Sequence, residues 1–473
     1  MHFSIPETQE FTNGANVFTG FNIYINGSFH CCLRYKQLHS LHDQLKRSLM
    51  NLSLPQFPPK KLLTLTHNEL EQRRLALERY LQLIGQDPVL SKSNLLRTFL
   101  LNAQQESAFI ETYGTTIDVF LMNGYSITVN VSTTESSLKV LEKSLRAIDL
   151  PEDFTYYFAL FLLRKESDGK VTLVRKLMDF ESPFISLRTA SDCQIVIRKN
   201  YWDPNYDLDL MRDRIALNLL YIQSLSDMEM DWMIASPEVR QRLSSLQVTG
   251  NKHEYMNIIR NLPSYGCIQF SNVDCDFFEP KSKATIVIGN QELGIRTMNG
   301  KVIQETKFRV TRMRCWRVTT ISSDTNNDKK IKTREKCRYT YELSFEYLMA
   351  KNCLKWIKLV TEQAMLISVC LQSMVDELLN QKNGYDINNI NTTLALDQQL
   401  DYIKRDDNSI GRLSESTSDG SINSLNEMKP ITKISNETAK SKIKNKVSTS
   451  VFFKNGKESV QNEAFENIGD DDL

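Results

Sequence analysis

Three cationic clusters lie in the first quarter of the chain: Arg34-Tyr35-Lys36, Lys60-Lys61 and Arg73-Arg74. Arginine grips phosphate through parallel N–H groups and lysine supplies a point charge, so such a set suits a phosphorylated ligand. Tyr35 adds an aromatic face on which a sugar-like ring can stack. The middle pair follows three prolines in Leu54-Pro-Gln-Phe-Pro-Pro-Lys-Lys-Leu62. Those prolines exclude a helix or an interior strand. A stiff arm remains, one that loses little entropy when its lysines bind. Spacing alone does not show that the three places converge; read singly, each is a solvated charge. The apolar Leu62-Leu-Thr-Leu65 that follows suits either ordinary packing or insertion into a membrane.

Other chemistry is thin. His39-x-x-His42 puts two imidazoles near one helical face, with no third ligand in view. The sequence has no Gly-x-Ser-x-Gly and no Walker-type loop. A binding protein is therefore expected rather than an enzyme, with no metal and no cofactor. The 473 residues leave room for two or three domains, and the net charge of +1 provides no global field toward nucleic acid or membrane. Nine cysteines without paired spacing point to a reduced, cytosolic setting. The N-terminus lacks a signal-peptide pattern, and no run of about 18 apolar residues occurs. The expectation is a soluble monomer that touches a membrane only through a local patch and does not bind nucleic acid.

The elements that must hold these groups are legible in outline. Residues 21–34 read as two strands joined at Asn26-Gly27, a strong hairpin signal. A helix follows, with Tyr35, Leu38, Leu41 and Leu45 on one face. Thr66 with Glu69 forms a capping box for a second helix carrying Leu70, Leu77, Tyr80, Leu81 and Ile84. From 113 the order is hairpin at Asn123-Gly124, helix through Leu138, Leu141, Leu145 and Ile148, then strands around Asp168-Gly169, which is the order of a ubiquitin-like unit. Residues 201–266 read as helical. Strands return from Ile268, with a turn at Asn299-Gly300 and alternation through Tyr339, Tyr341, Leu343, Phe345 and Tyr347. A long helix closes the unit; Ala364, Ile367, Leu371, Met374 and Leu378 form its core stripe, and Val375 and Leu379 widen it. Trp316 lies on a strand whose alternation is broken by Arg312 and Arg314. From 384 the composition is polar, with low complexity over 414–424, and predicts disorder. The fold class is α+β and multidomain.

The order of Arg34-Tyr35-Lys36, the proline arm with Lys60-Lys61, and Arg73-Arg74-x-x-Leu77-x-x-Tyr80 resembles a phox-homology (PX) domain, expected over 1–110. The resemblance implies phosphatidylinositol 3-phosphate as ligand. Arg34 would hold the 3-phosphate, Tyr35 would stack under the inositol ring, Lys60 would meet the 1-phosphate and Arg73 the ring hydroxyls. Lys36 and Lys61 would be auxiliary contacts. Leu33 stands where a second basic residue is common, which lowers the expected affinity. The second segment resembles a three-lobed FERM domain: a ubiquitin-like lobe over 113–200, a helical lobe over 201–266 and a phosphotyrosine-binding-type lobe over 267–383.

This domain order is similar to one small subfamily of sorting nexins. It implies a cargo adaptor on the cytosolic face of early endosomes that binds Asn-Pro-x-Tyr or Asn-x-x-Tyr motifs of receptor tails. Trp316, Val375 and Leu379 would line the peptide groove. The tail, 384–473, would end in a hook for a retriever/commander-type recycling complex, with Phe465, Ile468 and Leu473 as apolar anchors and Asp470, Asp471 and Asp472 as charge. The rival readings are a membrane–cytoskeleton linker and a small-GTPase effector.

Overall fold

Asn26 and Gly27 take left-handed φ values of 48° and 77°, which lets β3 (Asn16–Ile25) fold back tightly into β4 (Ser28–Arg34). β1 (Phe3–Ser4) and β2 (Thr8–Asn13) pair with the long β3 as well, making a four-stranded sheet. Three helices pack on it: α1 (Tyr35–Ser48), α2 (His67–Gln86) and α3 (Asn94–Ala108). Thr66 caps α2 and both halves of its box with Glu69 are formed. Leu38, Leu41, Leu45, Leu77, Tyr80, Leu81 and Ile84 are all buried. The computed structural model describes residues 1–13, 16–48, 53–61, 65–166, 171–278, 282–299, 302–321, 340–384, 400–405, 411–412 and 460–465.

A five-stranded sheet of order β6-β5-β9-β7-β8 comes next. It contains β5 (Gly114–Phe120), β6 (Ser126–Ser132), β7 (Phe158–Lys165), β8 (Val171–Lys176) and β9 (Cys193–Lys199). The parallel pair of β5 and β9 gives it a ubiquitin-like topology. α4 (Ser137–Arg146) covers it and the short α5 (Pro183–Thr189) leads into β9. Ile148 lies beyond α4, in the turn that Asp149 makes at φ 61°. The Asp168-Gly169 turn and the Asn299-Gly300 turn include positions outside the described residues.

The helical lobe consists of α6 (Asp207–Leu210), α7 (Arg214–Glu229), α8 (Pro237–Thr249) and α9 (Lys252–Ile259). Arg198 on β9 reaches Asp227 on α7 at 2.9 and 3.2 Å, with both side chains buried. Lys199 sits between the rings of Tyr201 and Tyr265, at 4.8 and 4.4 Å.

The third lobe is built from β10 (Ile268–Cys275), β11 (Ser282–Gly289), β12 (Glu292–Asn299), β13 (Val302–Arg309), β14 (Met313–Ile321), β15 (Thr340–Ala350) and β16 (Cys353–Thr361), closed by α10 (Ala364–Lys382). Their order is β13-β12-β11-β10-β16-β15-β14, and Phe270, Phe308, Trp316, Phe345 and Leu371 fill the core.

The first domain is docked on this module. The Ser182 backbone N–H donates to Gln104 Oε1 at 2.7 Å, and His30 meets Phe180 edge-on at 5.7 Å. Gly27 lies so close to α10 that a Cβ there would stand 3.0 Å from Met365.

Within the segment expected to be unfolded, three short pieces are described. β17 (Asp401–Tyr402) pairs with β18 (Gly411–Arg412), and β19 (Val460–Gln461) joins the large sheet beside β14. Leu400, Tyr402 and Ala464 are buried. Polar composition argues against a self-standing core, but a short apolar piece still folds where another domain supplies the surface.

Removing one partner of a buried ion pair strands the other charge, at a cost of about 3–5 kcal/mol. Asp227→Ala is expected to lower unfolding stability by that order in urea titration, since it leaves Arg198 unpaired between the ubiquitin-like and helical lobes.

Candidate functional site

The first candidate site forms where β4 runs into α1. Arg34 ends the strand, and its backbone N–H donates to Gln37 Oε1 at 2.9 Å. Its guanidinium lies over the Phe18 ring at 4.0 Å and donates from Nη1 to the Arg405 carbonyl at 2.9 Å.

Tyr35 pins the proline arm. Its hydroxyl donates to the Pro58 carbonyl at 2.7 Å, and burial pushes its phenol pKa up. The Arg73 guanidinium stacks over the Tyr35 ring at 4.4 Å and donates to the Pro59 carbonyl at 3.4 Å. Phe57 wedges the arm against the helices, 4.8 Å from Tyr80 and 5.0 Å from His42. The arm thus brings Lys60, next to Pro59 and exposed, to the side of the domain that carries Tyr35 and Arg73.

The neighbouring cations divide by role. Lys36 is exposed on α1. Lys61 pairs with Glu69 at 2.6 Å, and that bond, with those from Thr66, holds the Glu69 carboxyl down to about 2, so Lys61 braces the α2 cap. Arg74 is engaged with Glu71 at 2.6 Å and with the Ile5 carbonyl. His39 pairs with Asp43, and His42 with the Tyr80 hydroxyl. Residues 62–64 of the apolar stretch lie outside the described residues.

The second candidate site is the edge of β14. Trp316 is fully buried, and its Nε1 donates to Ser368 on α10 at 3.0 Å. The ring therefore ties strand to helix from beneath, while the backbone of the same residue forms the edge. Val375, buried, and Leu379, half-buried, both line a cleft of about 810 Å³ together with Met365, Val369 and Val460.

The chain's own tail lies along that edge. Val460 is opposite Trp316 and Gln461 opposite Cys315 in antiparallel register. The Asn462 side-chain amide donates to the carbonyls of Val310 and Met313, both at 2.7 Å. The Ala464 N–H returns to Asn462 Oδ1 at 3.0 Å and the Phe465 N–H to the Asn462 carbonyl at 3.0 Å, which makes a turn. The segment is thus a strand followed by an Asn-x-x-Phe turn.

Sequence reasoning placed Phe465 only in the C-terminal hook. The signal that would have found its second position is Asn462, three residues before an aromatic and preceded by Val460. Ile468, Asp470, Asp471, Asp472 and Leu473 lie outside the described residues. Gln37 and Phe18 were also missed, because a buried glutamine and an aromatic beneath an arginine have no pattern of their own.

Four family models match in sequence order. They are the PX domain (21–103), the F1 lobe of the sorting nexin 17/27/31 FERM domain (115–202), the F2 lobe of the sorting nexin 17/31 FERM domain (203–263) and the sorting nexin 17 FERM C-terminal domain (266–379). The chain is 39% identical to sorting nexin-17 of Danio rerio, covering 100% of both chains. It is 42% identical to sorting nexin-17 of Homo sapiens over 82% of this chain and 83% of that one. Sorting nexin-31 of Homo sapiens is 34% identical over 80% of this chain and 86% of that one.

Asn462→Ala removes both bonds to the β14 end and leaves buried carbonyls unsatisfied, a loss on the order of 1–3 kcal/mol. Hydrogen exchange of the 460–465 amides is expected to accelerate by about tenfold or more, with the amides of β15 unchanged as the internal control.

Proposed function

The chain belongs to the sorting nexin-17 family of PX–FERM adaptors, which are not enzymes, and from that premise we propose that it sorts membrane cargo on early endosomes. The PX domain binds phosphatidylinositol 3-phosphate and holds the protein peripherally on the cytosolic face. No described helix is long and apolar enough to cross a membrane. The third FERM lobe binds Asn-Pro-x-Tyr or Asn-x-x-Tyr motifs in receptor tails. The C-terminal end passes the captured receptor to a retriever-type recycling complex, and the receptor returns to the cell surface instead of being degraded.

One observation carries the peptide reading: the chain's own Asn462-x-x-Phe465 is seated on β14 as an added strand and turn. An incoming Asn-Pro-x-Tyr segment has the same requirements. It needs an extended stretch to pair with the backbone near Trp316, then an asparagine to answer the Val310 and Met313 carbonyls. Occupancy by the tail means that cargo must compete with it for the same edge.

The lipid reading is supported by Tyr35 and Arg73, which meet at the pinned arm that carries Lys60, and by Arg34, next to Tyr35 at the end of β4, whose guanidinium lies instead over Phe18 and against the Arg405 carbonyl. Membrane charge contributes only about 1 kcal/mol per nearby basic residue, so selectivity must come from fitted phosphate contacts. Lipid and cargo bound together give stronger recruitment than either alone, because the second contact is then made within one assembly.

Paired variants separate the two activities. Arg34→Ala is expected to lose binding to vesicles carrying phosphatidylinositol 3-phosphate while keeping calorimetric binding of an Asn-Pro-x-Tyr peptide. Leu379→Glu is expected to weaken the peptide about tenfold or more by placing a charge in the part of the cleft that Met365, Val369, Val375 and Val460 line, with vesicle binding intact. Vesicle binding that survives Arg34→Ala, or a peptide whose asparagine can become alanine without loss, defeats the assignment.

A further inference from the structure

Residues 400–405 lie across α1 and α3 as a strap. The Gln44 side-chain amide meets the Asp401 backbone as a neighbouring strand would, accepting from its N–H at 3.0 Å and donating to its carbonyl at 2.8 Å. Gln37 Nε2 donates to the Ile403 carbonyl at 2.9 Å. The Glu106 carboxylate on α3 accepts from the Tyr402 hydroxyl at 2.8 Å and from the Arg405 N–H.

Apolar contacts complete the seat. Leu400, Tyr402 and Arg405 are all buried. Tyr402 packs 5.5 Å from Phe99, and the Arg405 guanidinium lies 4.5 Å from the Phe11 ring centre and 4.9 Å from that of Phe109. The strap ends with the Arg405 carbonyl on Arg34 Nη1.

The geometry points to a lipid site regulated in cis: the strap of residues 400–405 competes with a 3-phosphorylated inositol headgroup for the Arg34 guanidinium. The inference rests on the reading of Arg34 as a phosphate-binding group. A phosphate takes arginine best through two parallel N–H donors, and a carbonyl on Nη1 removes one donor and sets a partial negative charge where the anion would sit. Two ligands that exclude each other are linked reciprocally, so headgroup binding must loosen the strap as much as the strap weakens the headgroup. The strap belongs to the same chain as α10, so it competes at a high effective concentration without a partner protein.

Vesicle co-sedimentation of the full chain tests this with phosphatidylcholine vesicles that contain or lack phosphatidylinositol 3-phosphate. Tyr402 lies at the margin of the PX core and is supplied by the strap itself, so Tyr402→Ala loosens the strap, and thermal unfolding of the variant checks that the PX domain stays folded. Tyr402→Phe keeps the ring and removes only the hydroxyl, which donates to Glu106 and accepts from Gln37 Nε2, and serves as the milder version. Tyr402→Ala is expected to bind the phosphoinositide vesicles about tenfold tighter than the parent, the factor that one charge-assisted hydrogen bond is worth. Tyr402→Phe should shift the same way by less, and neither variant should bind the plain vesicles.

A parent that binds, an Arg34→Ala variant that does not, and a Tyr402→Ala variant that binds equally or more weakly would overturn the strap and leave the lipid reading standing. No binding by any variant would overturn both. Soluble inositol 1,3-bisphosphate supplies an independent readout. It should speed hydrogen exchange of the 401–405 amides, and unchanged protection at saturating headgroup would refute the competition.

Discussion

Without β19 of its own tail, strand β14 would end the large sheet with an open row of backbone donors and acceptors beside α10, and Trp316 fixes the distance between strand and helix by filling the core below and bonding Ser368. An open edge of this kind is a template for another extended segment. Length and sequence are then set by what lies at its end. The carbonyls of Val310 and Met313 converge where the 3-10 turn Val310–Arg312 enters the strand, and one carboxamide answers both. In the chain's own tail that carboxamide is Asn462, directly after the strand that pairs with β14.

The tail touches both candidate sites. Residues 400–405 rest on the PX domain next to Arg34, and 460–465 rest on the FERM edge above Trp316. Each piece is held by one or two buried apolar groups and a few hydrogen bonds, 400–405 by its backbone on the side chains of Gln37, Gln44 and Glu106, and 460–465 by backbone pairing with β14 and the Asn462 amide. Contacts of this size are modest beside a domain core, and modest contacts suit surfaces that also have an external ligand.

The PX domain and the FERM module share one structural frame. The PX core continues into Phe180 of the ubiquitin-like lobe and into Leu400 and Tyr402 of the tail. The hairpin at Asn26-Gly27 abuts Met365 at the start of α10. The lipid-facing and peptide-facing surfaces are therefore held in one relative arrangement, as a bridge between a membrane and a receptor tail requires.

Local signals in the sequence were sufficient for much of this. The Asn26-Gly27 hairpin, the Thr66–Glu69 capping box, the apolar stripe of α10 and the stiff proline arm each depend on residues a few positions apart, and backbone sterics or helix periodicity impose them whatever the rest of the chain does. The facing of Trp316 was not legible. A register shift between Met313 and Cys315 breaks the two-residue period, and Arg314 is retained beside the strand by its bond to Glu346. The convergence of Tyr35, Arg73 and the arm also needed the fold, since it rests on the carbonyls of Pro58 and Pro59, which any residue possesses. The tail pieces are the extreme case. The sequence by itself determined that 384–473 is too poor in apolar residues to build a core of its own, and only the tertiary structure decided where 400–405 and 460–465 pack, because the surfaces that bury them come from residues about 150 to 370 positions away.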